Sequence, residues 1–148
     1  MSDCIFCKIV KGELPLAKLY EDDDILAFLD IGPIHKGHAL VIPKEHHETI
    51  LDIPDDLLKK QIVIVKKLTK AIKTAVKADG ITIGQSNYKH GGQVVLHIHF
   101  HIMPRFKDDG LKLWPQGKYE DGEMDTYKKK IIEKLEKKDL SLTTKFLI

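Results

Sequence analysis

Arginine and asparagine are nearly missing from this chain: Arg105 and Asn87 are the only ones among 148 residues. Few amides beside many lysines and glutamates suit a heat-tolerant protein, although biased codon usage gives the same composition. No run of about 18 apolar residues occurs, so no membrane-spanning helix and no membrane partner are expected. The N-terminal stretch MSDCIFCKIVKGE holds no apolar segment of the secretory kind, which points to a cytoplasmic protein. Nor is there charge of one dominant sign. Lysine and arginine number 24 against 22 acidic residues, for a net charge of +2, and the lysines are spread along the chain. That pattern describes a solvated surface, not a nucleic-acid binder. Cysteine is limited to Cys4 and Cys7, spaced C-x-x-C. In a reducing compartment such a pair reads as a metal or redox pair before a structural disulfide. A thioredoxin-like role would need a strand ahead of the pair, and none can precede residue 4.

What is present reads as one domain in which strands dominate the first part around one long central helix, without internal repeats or low-complexity linkers. AKLYEDDDILAFLD predicts two short strands around an acidic turn at residues 22–24. HALVIPK predicts another, ended by Pro43. Leu58, Ile62, Val65, Leu68, Ile72 and Val76 recur at helical spacing, so a helix is expected over residues 54–78, with Asp55 and Asp56 in its first turn and Gly80 ending it. ITIGQS and VVLHIHFHI predict two more strands flanking the Gly-rich turn NYKHGGQ. A second amphipathic helix is expected over residues 124–135, after an irregular stretch rich in Gly and Pro. The fold class is α+β with an antiparallel sheet.

Within VVLHIHFHIMPR, three of the eight histidines, His97, His99 and His101, alternate with Ile98, Phe100 and Ile102. In a strand that spacing puts the imidazoles on one face and the apolar side chains on the other, toward a core. The row spans roughly 13 Å at about 3.3 Å per residue, enough to track two or three phosphates. Three chemistries remain open on this pattern alone. The row is an exposed face that happens to be histidine; or two imidazoles share a zinc ion; or a neutral imidazole attacks phosphorus while its neighbours hold the charge that develops. No Walker-type lysine loop and no acidic metal motif appears, which is consistent, in the third case, with histidines and backbone N–H groups holding the phosphate and with no magnesium requirement.

The stretch HIHFHIM matches the His-φ-His-φ-His-φ-φ signature of the histidine triad (HIT) superfamily. CIFCKIVKGELP, YEDDDILAFLDIGPIHKGHALVIPKEH and GGQVVLHIHFHIMPR resemble consecutive blocks of that family, over about the first two-thirds of the chain, and the nearest likeness is to its Hint/Hit-type nucleotide hydrolases. The resemblance implies one HIT domain over residues 1–148, with a core of about 4–106 and a C-terminal extension of about 107–148. It implies an antiparallel sheet of about five strands, one long central helix and a C-terminal helix. It further implies a homodimer, and cleavage at the α-phosphate of a purine nucleotide phosphoramidate or dinucleoside polyphosphate through a nucleotidyl-histidine. A non-catalytic zinc- and nucleotide-binding interaction protein is the alternative.

Carried over by position, His99 matches the nucleophile, His101 a phosphate-contacting residue, and His38 a fourth histidine of the same site. Asp30 matches the acid that receives the ribose hydroxyls, which suits a carboxylate facing a cis-diol. Ile5, Phe6, Ile9, Phe28 and Ile31 match the apolar slot for the base. Gln93 matches a phosphate-side loop, and Asn87 is the nearest candidate for that loop's asparagine, with Ser86 competing because the spacing is one residue short. Some relatives bind a structural zinc ion through a cysteine pair and two histidines, which here would be Cys4, Cys7, His46 and His97, a sound tetrahedral set. His35, His47 and His90 match no role and are expected at the surface. Trp114 either packs or reaches a neighbouring protomer's site. Val94 is a departure: many relatives carry Ser or Thr there, and a hydroxyl that assists the leaving group is lost.

Overall fold

The computed structural model describes residues 3–139. Alternation builds its centre. Strand β2, Ile25–Leu29, sends Ile25 and Ala27 to one side and Leu26 and Phe28 to the other. Strand β3, Ala39–Pro43, splits likewise into Ala39 and Val41 against Leu40 and Ile42. Both sides of these strands are covered, which is why neither reads as a simple polar–apolar alternation. With β1 (Lys18–Glu21), β4 (Gly80–Gly84) and β5 (Phe100–Arg105) they form a five-stranded antiparallel sheet in the order β1-β2-β3-β5-β4. The acidic turn between β1 and β2 closes as expected, Asp22 accepting the N–H groups of Asp24 and Ile25.

One face packs on the long helix α2, Asp55–Ala75, through Ile64, Val65 and Ile72 against Ile25, Val41, Phe100 and Ile102. Ile62 lies off the buried stripe and is exposed; Gln61 takes the inward place because its amide donates to the Val41 carbonyl at 2.9 Å. The helix ends before Gly80. Lys77 adopts φ 54°, and Ala78 N–H and Lys77 N–H return to the Lys73 and Thr74 carbonyls, which closes the end as a Schellman motif with lysine where glycine is usual. Gly80 instead opens β4.

The other face is covered by α1, Ile5–Val10, whose Phe6 packs with Leu26, Phe28, Leu40 and Ile42. Six residues are too few for a periodicity argument, and this helix was not expected. The last strand also departs from expectation. It begins at Phe100, not near Val94, because the chain ahead of it is kinked: His97 N–H turns back to the Val95 carbonyl and Ile98 N–H is taken by the His47 carbonyl at 2.7 Å, outside the sheet. Ile98, Phe100 and Ile102 nevertheless enter the core as alternation requires.

The chain divides into two compact units, one through Asp109 and one from Gly110. The first unit reaches slightly past residue 106 because Asp109 binds back to Arg105 and the Phe106 N–H. The second carries α3, Glu123–Asp139. No helix among the described residues is long and apolar enough to cross a membrane.

Candidate active site and metal centre

Two histidine clusters meet at the start of β5 and differ in where their protons sit. In the first, His97 is fully buried and its Nε2–H donates to the Pro43 carbonyl at 2.8 Å. Its Nδ1 lone pair is thereby left facing Cys4 Sγ at 3.5 Å and Cys7 Sγ at 3.7 Å, while His46 Nδ1 stands 3.3 Å from Cys7 Sγ. All four ligand atoms lie within 4.8 Å of one another. A tetrahedral zinc ion, with Zn–S about 2.3 Å and Zn–N about 2.0–2.1 Å, sets sulfur and nitrogen ligands about 3.5 Å apart. The spacing and the fixed tautomer of His97 both fit that ion. Burial, and then the neighbouring Cys4, push the Cys7 thiol pKa up in the metal-free protein; burial holds His97 down at about 4.

The second cluster is Asp30, His38 and His101. Its atoms are as close, but the protons argue against a metal. The Ile34 N–H donates to His38 Nδ1 at 3.1 Å, so neutral His38 carries its proton on Nε2. That proton points at His101 Nδ1, 2.9 Å away. Neutral His101 therefore carries its own proton on Nε2, available to a ligand. Asp30 faces both rings, 3.6 Å from His38 Nε2 and 3.9 Å from His101 Nδ1, while its other oxygen accepts the Gly32 N–H. Burial keeps His38 and His99 below the ordinary histidine pKa and lowers His101 to about 4, against the opposing pull of Asp30.

His99 stands between the clusters. Its Nδ1 is 2.7 Å from the His97 carbonyl and can only donate to it, which leaves Nε2 bare. The ring lies 4.9 Å from His101 and 5.2 Å edge-on from Phe6. Phe6, Phe28 and Ile9 pack together beside it. Ile5 is half exposed and Ile31 fully exposed, so their side chains are open to solvent and are not part of the packed cluster. Asn87 and Gln93 both make hydrogen bonds within and behind the Gly-rich turn. Asn87 accepts the Ile50 N–H and pairs with the Gln85 amide. Gln93 donates to the Glu48 and Val95 carbonyls and accepts the Tyr88 N–H. Both amides hold the Gly-rich turn against residues 48–50. Ser86 lies beside Gly92 in the same turn.

His90 is exposed as expected, but His35 and His47 are half buried. His35 packs on Phe106 and faces Asp109, and the His47 ring lies against Glu45 and Asp52; for His35 the partners are some seventy residues away in sequence, beyond local pattern reading. The groups that set the tautomers, Ile34 N–H, Pro43 C=O and His97 C=O, are backbone and leave no mark on the sequence. Gly37 does leave one: it sits at φ 96° against α2, where a Cβ would meet Val76 at 2.9 Å, and it turns the chain into His38.

Five histidines, one carboxylate and a cysteine pair at the end of an antiparallel sheet define a histidine-triad protein. Residues 11–108 match the family profile described as the HIT domain. The chain is 40% identical over 145 residues to the adenosine 5'-monophosphoramidase HNT1 of Candida albicans, covering 93% of this chain and 95% of that one. A crystal structure of a histidine triad nucleotide-binding protein from Candida albicans superposes with a TM-score of 0.83 at 40% identity, over 93% of this chain and 100% of that chain. A zinc-bound histidine triad family protein from Mycobacterium smegmatis gives 0.72 at 35% identity, over 79% and 85%. The chain belongs to the HIT family and is of its Hint type.

Proposed function

We propose that the protein hydrolyses a purine nucleotide derivative at its α-phosphate through a nucleotidyl group on His99. The observation that carries this reading is the hydrogen bond from His99 Nδ1–H to the His97 carbonyl, which fixes a bare Nε2 beside a donor on His101. His99 Nε2 attacks the α-phosphorus as the bond to the leaving group breaks. The His97 carbonyl stabilises the imidazolium that forms, and His101 Nε2–H meets the charge on the leaving group or the phosphoryl oxygens. Water then attacks the same phosphorus, releasing the nucleoside monophosphate and restoring His99. Asp30 receives the ribose hydroxyls, and Phe6, Phe28 and Ile9 hold the base. The two amides, Asn87 and Gln93, shape the phosphate-side turn from behind.

Zinc would be held by Cys4, Cys7, His46 and His97; it supplies no open coordination position and serves to pin α1 to the segment that carries the triad. The unit through Asp109 forms the catalytic domain, and the working form is a homodimer. A groove of about 440 Å³ on the α2 side, lined by Ile50, Leu58, Ile62 and Phe100 together with Asp55 and Lys59, supports an interface there; the edge strand β4 is the neighbouring candidate. The named activity of the Candida albicans relative favours an adenosine phosphoramidate as substrate. A panel of a phosphoramidate, dinucleoside tri- and tetraphosphates and adenylyl sulfate, run on the wild type and on His99→Ala, tests the reading. Turnover of at least one, lost in the variant, is expected; equal turnover in both proteins refutes it.

A further inference from the structure

We propose that Cys4 and Cys7 are a redox-responsive dithiol whose oxidation to a disulfide expels zinc and lowers turnover at His99. The inference rests on the zinc and nucleophile readings above. Both cysteines are partly exposed, so a small oxidant reaches them. Cys4 immediately precedes α1 and Cys7 lies in its first turn, with their sulfurs within 4.8 Å. A tetrahedral ion holds two thiolates roughly 3.8 Å apart, whereas a disulfide brings them to about 2.05 Å. The two states exclude one another. A peroxide supplies the oxidant: one thiolate attacks an oxygen of the O–O bond, giving a sulfenic acid and water, and the second displaces the hydroxyl as a second water. In sum, two thiolates, one hydrogen peroxide and two protons give one disulfide and two waters, and the metal ion leaves.

Two routes carry this change to His99. Ile5 and Phe6 lie between the cysteines, so drawing the sulfurs together shifts the turn that carries Phe6, whose ring lies 5.2 Å from His99 and 5.9 Å from Phe28. The second route is His97. Its Nδ1 faces the sulfurs and its carbonyl holds the His99 proton at 2.7 Å. Release of the ion removes the partner of Nδ1 and leaves the ring held by its Nε2–H bond to the Pro43 carbonyl alone. The cysteine pair thus acts on the reaction without touching the substrate.

The test treats the reduced, zinc-loaded full chain with hydrogen peroxide and reads four quantities. These are intact mass, zinc captured by a chromogenic chelator, affinity for adenosine monophosphate, and phosphoramidate turnover. A mass lower by two hydrogens, zinc release, and at least about tenfold losses in affinity or turnover, all reversed by dithiothreitol with added zinc, are expected. In Cys4→Ser and Cys7→Ser the remaining turnover should not respond to the same dose. Oxidation that stops at sulfinic acid, a disulfide that leaves both affinity and turnover unchanged, or equal inhibition of the cysteine variants would overturn the proposal. A reduced protein with no turnover at all counts against the hydrolase reading alone, because mass, zinc and nucleotide affinity still decide this one.

Discussion

His99 and Val94 carry the predictions made at the scale of single residues. On the proposed reading, removing the His99 imidazole takes away the nucleophile but not the base slot or Asp30. His99→Ala should therefore abolish turnover while nucleotide affinity, measured by titration, stays within about tenfold. Burial keeps His99 neutral below the usual histidine pKa of 6.5. Protonation would occupy Nε2, and kcat/KM reports the free enzyme. At pH 6.5 kcat/KM should thus remain above half its value at about pH 8, and a profile with an inflection at or above pH 6.5 would contradict that assignment. Val94 is almost wholly exposed and packs against nothing that explains it. If the position faces bound substrate, a serine would restore a hydrogen bond to a charged group, worth ~1.5–3 kcal/mol or about 10- to 150-fold. Val94→Ser should then raise kcat/KM for an alkyl phosphoramidate relative to a dinucleoside polyphosphate; an unchanged ratio leaves Val94 without a role in leaving-group departure.

At the scale of elements, the turn into β3 is the most exposed to a single change. Gly37→Ala puts a Cβ against Val76 in a left-handed conformation, at a cost of roughly 1–3 kcal/mol. Urea unfolding should show that loss, with turnover falling as well because His38 is the next residue; a variant as stable and as active as wild type would show the turn to be adaptable. The same scale shows what the sequence made legible. β1, β2 and β3 follow from short apolar-rich runs bounded by an acidic turn and a proline, and α2 from its three-and-four spacing. The short helix α1 escapes because six residues give no period, and the start of β5 escapes because the kink depends on the His47 carbonyl, about a third of the chain away. Of the site, the family motif marked His38, His99, His101 and the cysteine–histidine set, and the structure brings each group together. It could not mark the backbone partners that fix the tautomers. Nor could it show that Asn87 and Gln93 also tie the Gly-rich turn to Ile50 and Glu48, since those partners are about forty residues away.

For the whole molecule, association and acid stability are the accessible quantities. Exposed Ile50, Leu51, Ile62 and Val63 on and beside α2 make an apolar surface that a second copy would cover, so sedimentation at micromolar concentration should return twice the chain mass. A single-chain mass would refute the dimer. His97 and His101 have folded pKa values of about 4 in the metal-free protein, below the ordinary 6.5. The unfolded chain therefore takes up protons first as pH falls. Stability of the metal-free protein should be fully present above pH 6.5 and decline between 6.5 and about 4. Urea midpoints at neutral pH and near pH 5 measure this directly, and a midpoint that does not fall would mean these imidazoles are already charged in the folded state.

The most direct test of the account is the site of covalent attachment. Wild-type protein mixed with a radiolabelled adenosine phosphoramidate, quenched within one turnover and digested under conditions that preserve a P–N bond, should yield one labelled peptide. Fragmentation should place the nucleotidyl group on His99, with none formed in His99→Ala. Label on His38, His101 or any other residue, or turnover through a direct displacement by water with no adduct during the burst, would contradict it.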